Sequence, residues 1–158
     1  MDKHARILVV DDDETVRDRL KAILEREGYL VDCAVTGKEG IKKTEETTYN
    51  LALLDIRLPD MEGVELLKLM KDSVPRTRKI IVTGYPTMQN AISALNKNAD
   101  AYLVKPTDIK KLLQVIKEQL QSQADEKEYG ETKVAEFIES RVKELPPSLP
   151  QKAFKKTE

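Results

Sequence analysis

The chain has 158 residues, enough for one ordinary domain plus an extension and too few for two domains of typical size. Its 27 Lys and Arg against 28 Asp and Glu leave a formal charge of -1, which excludes a strongly basic molecule built around nucleic acid or a membrane surface. The one cysteine, Cys33, cannot form an internal disulfide, the one histidine, His4, argues against imidazole chemistry, and the opening "MDKHARILVV" has no apolar run long enough for a signal peptide or membrane span. A cytoplasmic setting without membrane contact is expected.

In chain order, "RILVV" (Arg6 to Val10) reads as a buried strand, and Val16, Leu20, Ile23 and Leu24 follow at the spacing of one helical face. Between them stand Asp11, Asp12 and Asp13, whose mutual repulsion calls for a positive charge among them, so a bound cation is expected. Asp13 or Glu14 should also cap the helix, and Gly28 should end it. "YLVDCAV" is a second strand, with Cys33 a small buried hydrophobe. "TGKEGIKKTEETTYN" is a second helix with a thin packing face, because only Ile41 is strongly apolar and Gly40 weakens it; it is expected to be among the more mobile elements. "LALLD" is a third strand, "RLPDMEG" a loop set by Pro59 and Gly63, and Val64, Leu66, Leu67 and Met70 mark a third helix. "KIIVTG" and "AYLVKP" are two more strands, separated by a helix with Met88, Ala91, Ile92 and Leu95. A fifth helix starts at Thr107 or Asp108 and carries Ile109, Leu112, Leu113, Ile116 and Leu120.

Five strand-helix units imply an α/β fold with a parallel sheet covered by helices on both faces. In such sheets the ligand site lies beyond the carboxyl ends of the strands. Asp11, Asp55, Thr83 and Lys105 are each the first strongly polar residue after a buried strand, so they converge on that edge. Carboxylates, a hydroxyl and an ammonium there suit phosphoryl capture with a hard, oxygen-binding cation, for which Mg²⁺ is the natural candidate.

With "ILVVDDD", "LALLDIRLPDMEG", "IIVTGY" and "ADAYLVKP" in this order, the stretch from Arg6 to about Gln121 resembles the receiver (CheY-like) domains of two-component response regulators. The resemblance implies a flavodoxin-like doubly wound (βα)5 fold with strand order 2-1-3-4-5. It also implies Asp55 as phosphoacceptor, Asp11, Asp12, Asp55 and the backbone carbonyl of Arg57 as Mg²⁺ ligands, and Thr83 and Lys105 as the groups that bind the phosphoryl. Tyr102 takes the place of the family's switch aromatic, the Lys105-Pro106 bond matches one usually cis, and Arg57 and Tyr85 occupy positions that influence acyl-phosphate lifetime. The implied partners are a sensor histidine kinase and a downstream protein target, with a homodimer as a further possibility. Asn98 departs from the family, standing where glycine is common, but asparagine tolerates the left-handed backbone of such a turn.

A competing reading uses "DDDET" as the D-x-D-x-T opening of haloacid-dehalogenase-type phosphatases, with Asp11 as nucleophile and Asp13 as acid/base. It lacks the acidic pair expected after the lysine in "LVKPTDIKK" and leaves Asp55 without a purpose. Capping alone for the aspartates, a plain half-buried aromatic for Tyr102, and a flavodoxin-like binding module without phosphorylation are the bland alternatives. The expected organisation is a receiver over 1–121 and, over 122–158, a charged linker, one amphipathic helix and a proline-rich tail. Val134, Phe137, Ile138, Val142 and Leu145 form the apolar stripe of that helix before "PPSLP", and "QKAFKKTE" is expected to be disordered. One helix is too little for a winged-helix or helix-turn-helix domain, so no direct DNA binding is expected. The stripe would pack back on the receiver, join a dimer or partner, or begin the linker of a longer regulator of which this is a receiver fragment.

Overall fold

The computed structural model describes residues 4–70, 73–84, 87–96 and 99–143. The expectations for Tyr85, Asn98, Leu145, "PPSLP" and "QKAFKKTE" fall outside the described residues. Five strands alternate with five helices: β1 (Arg6–Val10), α1 (Glu14–Arg26), β2 (Leu30–Ala34), α2 (Gly37–Glu46), β3 (Leu51–Leu54), α3 (Gly63–Leu69), β4 (Arg78–Thr83), α4 (Met88–Asn96), β5 (Ala101–Val104) and α5 (Ile109–Lys143). The strands form one parallel sheet in the order β2-β1-β3-β4-β5, as a flavodoxin-like receiver requires.

The central strands are apolar on both faces because both faces are covered. Ile7, Val9, Leu51, Leu53, Ile80 and Val82 pack with Leu20 and Leu24 of α1 and Leu112 and Ile116 of α5. The alternate residues Leu8, Val10, Ala52, Leu54 and Ile81 pack with Leu66 and Leu67 of α3 and Ala94 of α4. Cys33 is half-buried at the margin of the first cluster, and burial raises its thiol pKa. Helix α1 starts on Asp13, whose carboxylate accepts from the Thr15 and Val16 amides, and ends at Gly28, which has φ 95. There the Gly28 amide reaches Glu25 O and the Tyr29 amide reaches Leu24 O, the paired bonds of a Schellman motif. Asp108 caps α5 through the Lys110 amide at 3.1 Å.

Helix α2 is held by contacts other than an apolar stripe. Gly40 lets it approach β1 so closely that a Cβ there would stand 3.1 Å from Val10 Cγ2. At the opposite, amino edge of the sheet, Arg76 forms a forked ion pair with Asp100 at 2.6 and 2.9 Å, and the Lys79 amide donates to the same carboxylate at 2.8 Å. The Lys105-Pro106 peptide is cis, as the resemblance implies, and so is Val74-Pro75.

The chain divides into two units, Met1–Gln123 and Ala124–Glu158. The stretch read as a charged linker is helical, since α5 runs through Lys143. It is rich in Glu and Lys, both good helix formers, and Gly130 is the residue that most works against it. Within the second unit Tyr129, Val134, Phe137 and Ile138 are exposed, with Lys133 Nζ 5.5 Å from the Tyr129 ring centre and the Arg141 guanidinium 5.0 Å from that of Phe137. No described helix is long and apolar enough to cross a membrane.

Candidate functional site

The hydrogen-bond ladder continues one residue beyond three strands and so fixes the backbone of the polar residues at their carboxyl ends. The Asp11 amide donates to Ala34 O at 3.1 Å, the Asp55 amide to Val10 O at 2.9 Å, and the Lys105 amide to Thr83 O at 2.7 Å. Sheet precision is thereby extended to the main chain that bears the Asp11 and Asp55 carboxylates and the Lys105 ammonium. Thr83 closes β4 with no solvent exposure.

One carboxylate oxygen from each of Asp11, Asp12 and Asp55 lies within 4.8 Å of the other two. The positive charge among them in this structure is Lys105, whose Nζ is 2.7 Å from Asp11 Oδ2 and 3.4 Å from Asp55 Oδ2. Burial works to lower the Lys105 pKa, but the hydrogen bond and charge of Asp11, with those of Asp55, outweigh it and hold the ammonium above its ordinary value. For Asp55, which is 7% exposed, burial dominates and pushes the carboxyl pKa up, Lys105 pulling it back only in part. Asp11 is engaged at every polar atom: its other carboxylate oxygen accepts from the Asp13 amide at 2.9 Å, and its carbonyl accepts from Arg17 at 2.8 Å.

Three carboxylates this close, one of them exposed, make a hard, all-oxygen donor set open to water on one side, which fits Mg²⁺. Arg57 lies in the loop after β3, its amide 3.4 Å from Asp55 Oδ1, and the loop closes on itself through Leu58 N to Met61 O and Gly63 N to Ile56 O. Gly63 is obligatory there, because a Cβ would collide with the Asp55 carbonyl and stand 2.8 Å from Ile56 Cα. Asp13 is spent on the first turn of α1, which removes the acid/base that the phosphatase reading needs.

Tyr102 packs against the cluster of Leu8, Val10 and Ile81 and pairs in register with Ile81. Its hydroxyl is buried and makes no hydrogen bond of ordinary geometry; burial raises the phenol pKa, and the nearby Thr87 backbone offsets this in part. Two groups in the site were not singled out from sequence. Arg17 has the appearance of a surface helix residue, and Asp60, in the loop after β3, accepts from the amides that open α2.

A doubly wound sheet with an acidic cluster and a lysine at its carboxyl edge is the arrangement of a signalling module that handles a phosphoryl group. The chain belongs to the response regulator receiver domain family, whose profile matches residues 7–117. Members of this family receive a phosphoryl group on an aspartate from histidine kinases and typically bind Mg²⁺. The chain is 50% identical to the CheY-like receiver domain protein of Methanospirillum hungatei JF-1, with TM-score 0.74 over 77% of this chain and 98% of that one. It is 36% identical to the beryllofluoride-activated NtrC4 receiver domain, solved as a dimer, with TM-score 0.70 over 75% of this chain and 98% of that one. Among curated proteins it is 38% identical to the transcriptional regulatory protein ZraR of Klebsiella oxytoca, over 83% of this chain and 30% of the relative. It is 34% identical to the regulatory protein AtoC of Escherichia coli (strain K12), over 78% of this chain and 27% of the relative. The chain thus spans under a third of the length of these two regulators.

Proposed function

We propose that Asp55 is the phosphoacceptor of this receiver and that Asp11, Asp12 and the Arg57 carbonyl hold Mg²⁺ beside it. The observation that carries this reading is the buried Asp55 carboxylate, placed at the carboxyl edge within 4.8 Å of two further carboxylates and 3.4 Å from an ammonium. One Asp55 oxygen attacks phosphorus, the bond from phosphorus to the donor's imidazole nitrogen breaks, and an acyl phosphate forms. The metal, when bound, neutralises charge on the phosphoryl oxygens. Lys105 then turns from the carboxylates to a phosphoryl oxygen, and Thr83 supplies a hydroxyl to another. Through these residues the chain assists its own phosphorylation and dephosphorylation.

Tyr102 is the switch residue. Its ring is packed inward while its hydroxyl forgoes a bond, a balance of apolar gain against polar cost that a small shift of Thr83 can tip. The change reshapes the surface of α4 and β5 and controls binding of a downstream protein or dimerisation. The second unit carries exposed apolar residues of its own that are available for such contacts. A second reading, a receiver belonging to a larger regulator, is favoured by the lengths of ZraR and AtoC, of which this chain covers 30% and 27%. Because ZraR is a transcriptional regulatory protein by name, the expectation that no DNA is bound has no support from these relatives.

The test is intact mass after incubation with a small phosphodonor, with and without Mg²⁺, for the unsubstituted chain and Asp55→Asn. One phosphoryl group gained only with Mg²⁺ and only with Asp55 is the expected result. A phosphoryl group retained by Asp55→Asn would move the acceptor elsewhere.

A further inference from the structure

The amino end of an α-helix leaves its first amides without helical partners. In α2 the Glu39 amide is taken by the Thr36 hydroxyl at 3.1 Å, the ordinary local cap. The Gly37 and Lys38 amides are taken by Asp60 Oδ1 at 2.8 Å and Asp60 Oδ2 at 2.9 Å. That carboxylate sits on the loop after β3, and it serves α2 rather than the helix next in sequence: Glu62, at the start of α3, makes no side-chain cap. Met61 reinforces the contact by lying on Gly37, where a Cβ would be 2.5 Å from its Cγ and Sδ.

The loop is therefore fastened at two places. Its base is closed by Gly63 N to Ile56 O and by the bridge of Arg57 with Glu62, and its tip is tied to α2 by two charge-assisted bonds. Helix α2 is in turn seated through Gly40 on Val10, the residue before Asp11. A continuous path thus runs from the Asp11–Asp12 pair through Val10, Gly40 and the first turn of α2 to Asp60, and back along the loop to Arg57. The sheet ladder positions Asp55 directly but does not extend to Arg57.

We infer that Asp60 is a positioning residue for the divalent cation: by clamping the loop to α2 it sets the Arg57 carbonyl in register with Asp11 and Asp12. This rests on the metal reading proposed above. The two amide bonds hold the Asp60 carboxyl below its ordinary pKa, so the clamp is charged at neutral pH.

The test is a titration with Mn²⁺, a hard oxygen-seeking dication, with free metal read by electron paramagnetic resonance and folding by circular dichroism. The chains compared are the unsubstituted protein, Asp60→Ala, Asp60→Asn and Thr36→Ala. Asp60→Ala should weaken Mn²⁺ binding about tenfold, the scale seen when groups behind metal ligands are removed, and Asp60→Asn, which keeps one acceptor, should fall between. Thr36→Ala loosens the same helix end without touching the loop, and should lower the melting temperature while leaving Mn²⁺ affinity unchanged. Unaltered affinity in a folded Asp60→Ala, or equal weakening by Thr36→Ala, would overturn the inference. If Asp60→Ala does not fold, Asp60→Asn decides, with unaltered affinity again fatal. Absence of Mn²⁺ binding by the unsubstituted chain would overturn the metal reading itself, and the inference with it, before any variant is compared.

Discussion

Replacing Asp55 by Asn should make the protein more stable while abolishing its acceptor chemistry. At an effective dielectric constant of about 20, like charges 4.8 Å apart repel by about 3.5 kcal/mol, and opposite charges 3.4 Å apart attract by about 5. Attraction to Lys105, which lies 3.4 Å from Asp55 and 2.7 Å from Asp11, outweighs repulsion by Asp11 alone, so it is the cost of burying the Asp55 carboxylate, added to that repulsion, that disfavours its charged form, in keeping with the raised Asp55 pKa. Asp12 is exposed and its contribution is screened, which leaves about 1–2 kcal/mol of net destabilisation to be relieved by a neutral side chain of the same shape. Thermal unfolding in metal-free buffer at neutral pH should show Asp55→Asn melting about 3–8 °C higher. A raised pKa means that the folded state holds the proton more tightly than the unfolded chain, so wild-type stability falls as pH rises from the ordinary 3.8 through the folded value. The gap between the two proteins should accordingly open with rising pH and narrow in acid. Mg²⁺ should narrow it too, because a ligand of the folded state stabilises whichever protein binds it better. An Asp55→Asn variant that melts at or below wild type at neutral pH would refute this account.

Gly63→Ala places a Cβ against backbone atoms that cannot yield, the Asp55 carbonyl and Ile56 Cα, so urea denaturation should show a loss of about 3 kcal/mol, together with reduced phosphoryl uptake. Asp100→Asn breaks the fork with Arg76, and because Arg76 is partly exposed the cost at neutral pH should be about 2 kcal/mol. Burial works to raise the Asp100 pKa, but the Arg76 bonds, the Lys79 amide and the charges of Arg76 and Arg78 outweigh it and hold the carboxyl low. Its contribution is thus complete above the ordinary 3.8 and lost as pH falls through the depressed folded value, so the urea midpoints of variant and wild type should converge in acid; a gap independent of pH would contradict this.

The sheet and the carboxyl-edge residues were legible because both are written locally. "ILVV", "LALL" and "IIV", short and alternating with helical patterns, read as strands buried on two faces, and the first polar residue after each is then placed by the parallel arrangement. Helix α2 was harder to read because a glycine contact and caps hold it, and none of these appears in a hydrophobic periodicity. Asp60 and its partners Gly37 and Lys38 are 23 and 22 residues apart, so a local motif search sees only a turn in "RLPDMEG". Arg17 was missed for a similar reason: its partner is a backbone carbonyl, which carries no residue identity. The ammonium of Lys105 was expected at this edge beside a cation site, and it stands among the carboxylates of a cluster that could hold a metal. The extent of α5 was misjudged because charge density was read as a linker, although Glu, Gln and Lys favour a helix as readily as they favour solvent.

The ion pair between Asp11 and Lys105 joins residues 94 positions apart, the first strand's end to the last strand's end. A chain emerging from the ribosome exposes its carboxylates early and acquires the balancing ammonium only when β5 has been made and has docked beside β4. A product stopped before residue 105 would display the acidic residues without the ammonium that balances them, and on the reading proposed above it would lack one of the groups that bind the phosphoryl. On that reading, full competence to receive would come only with synthesis to the end of the sheet.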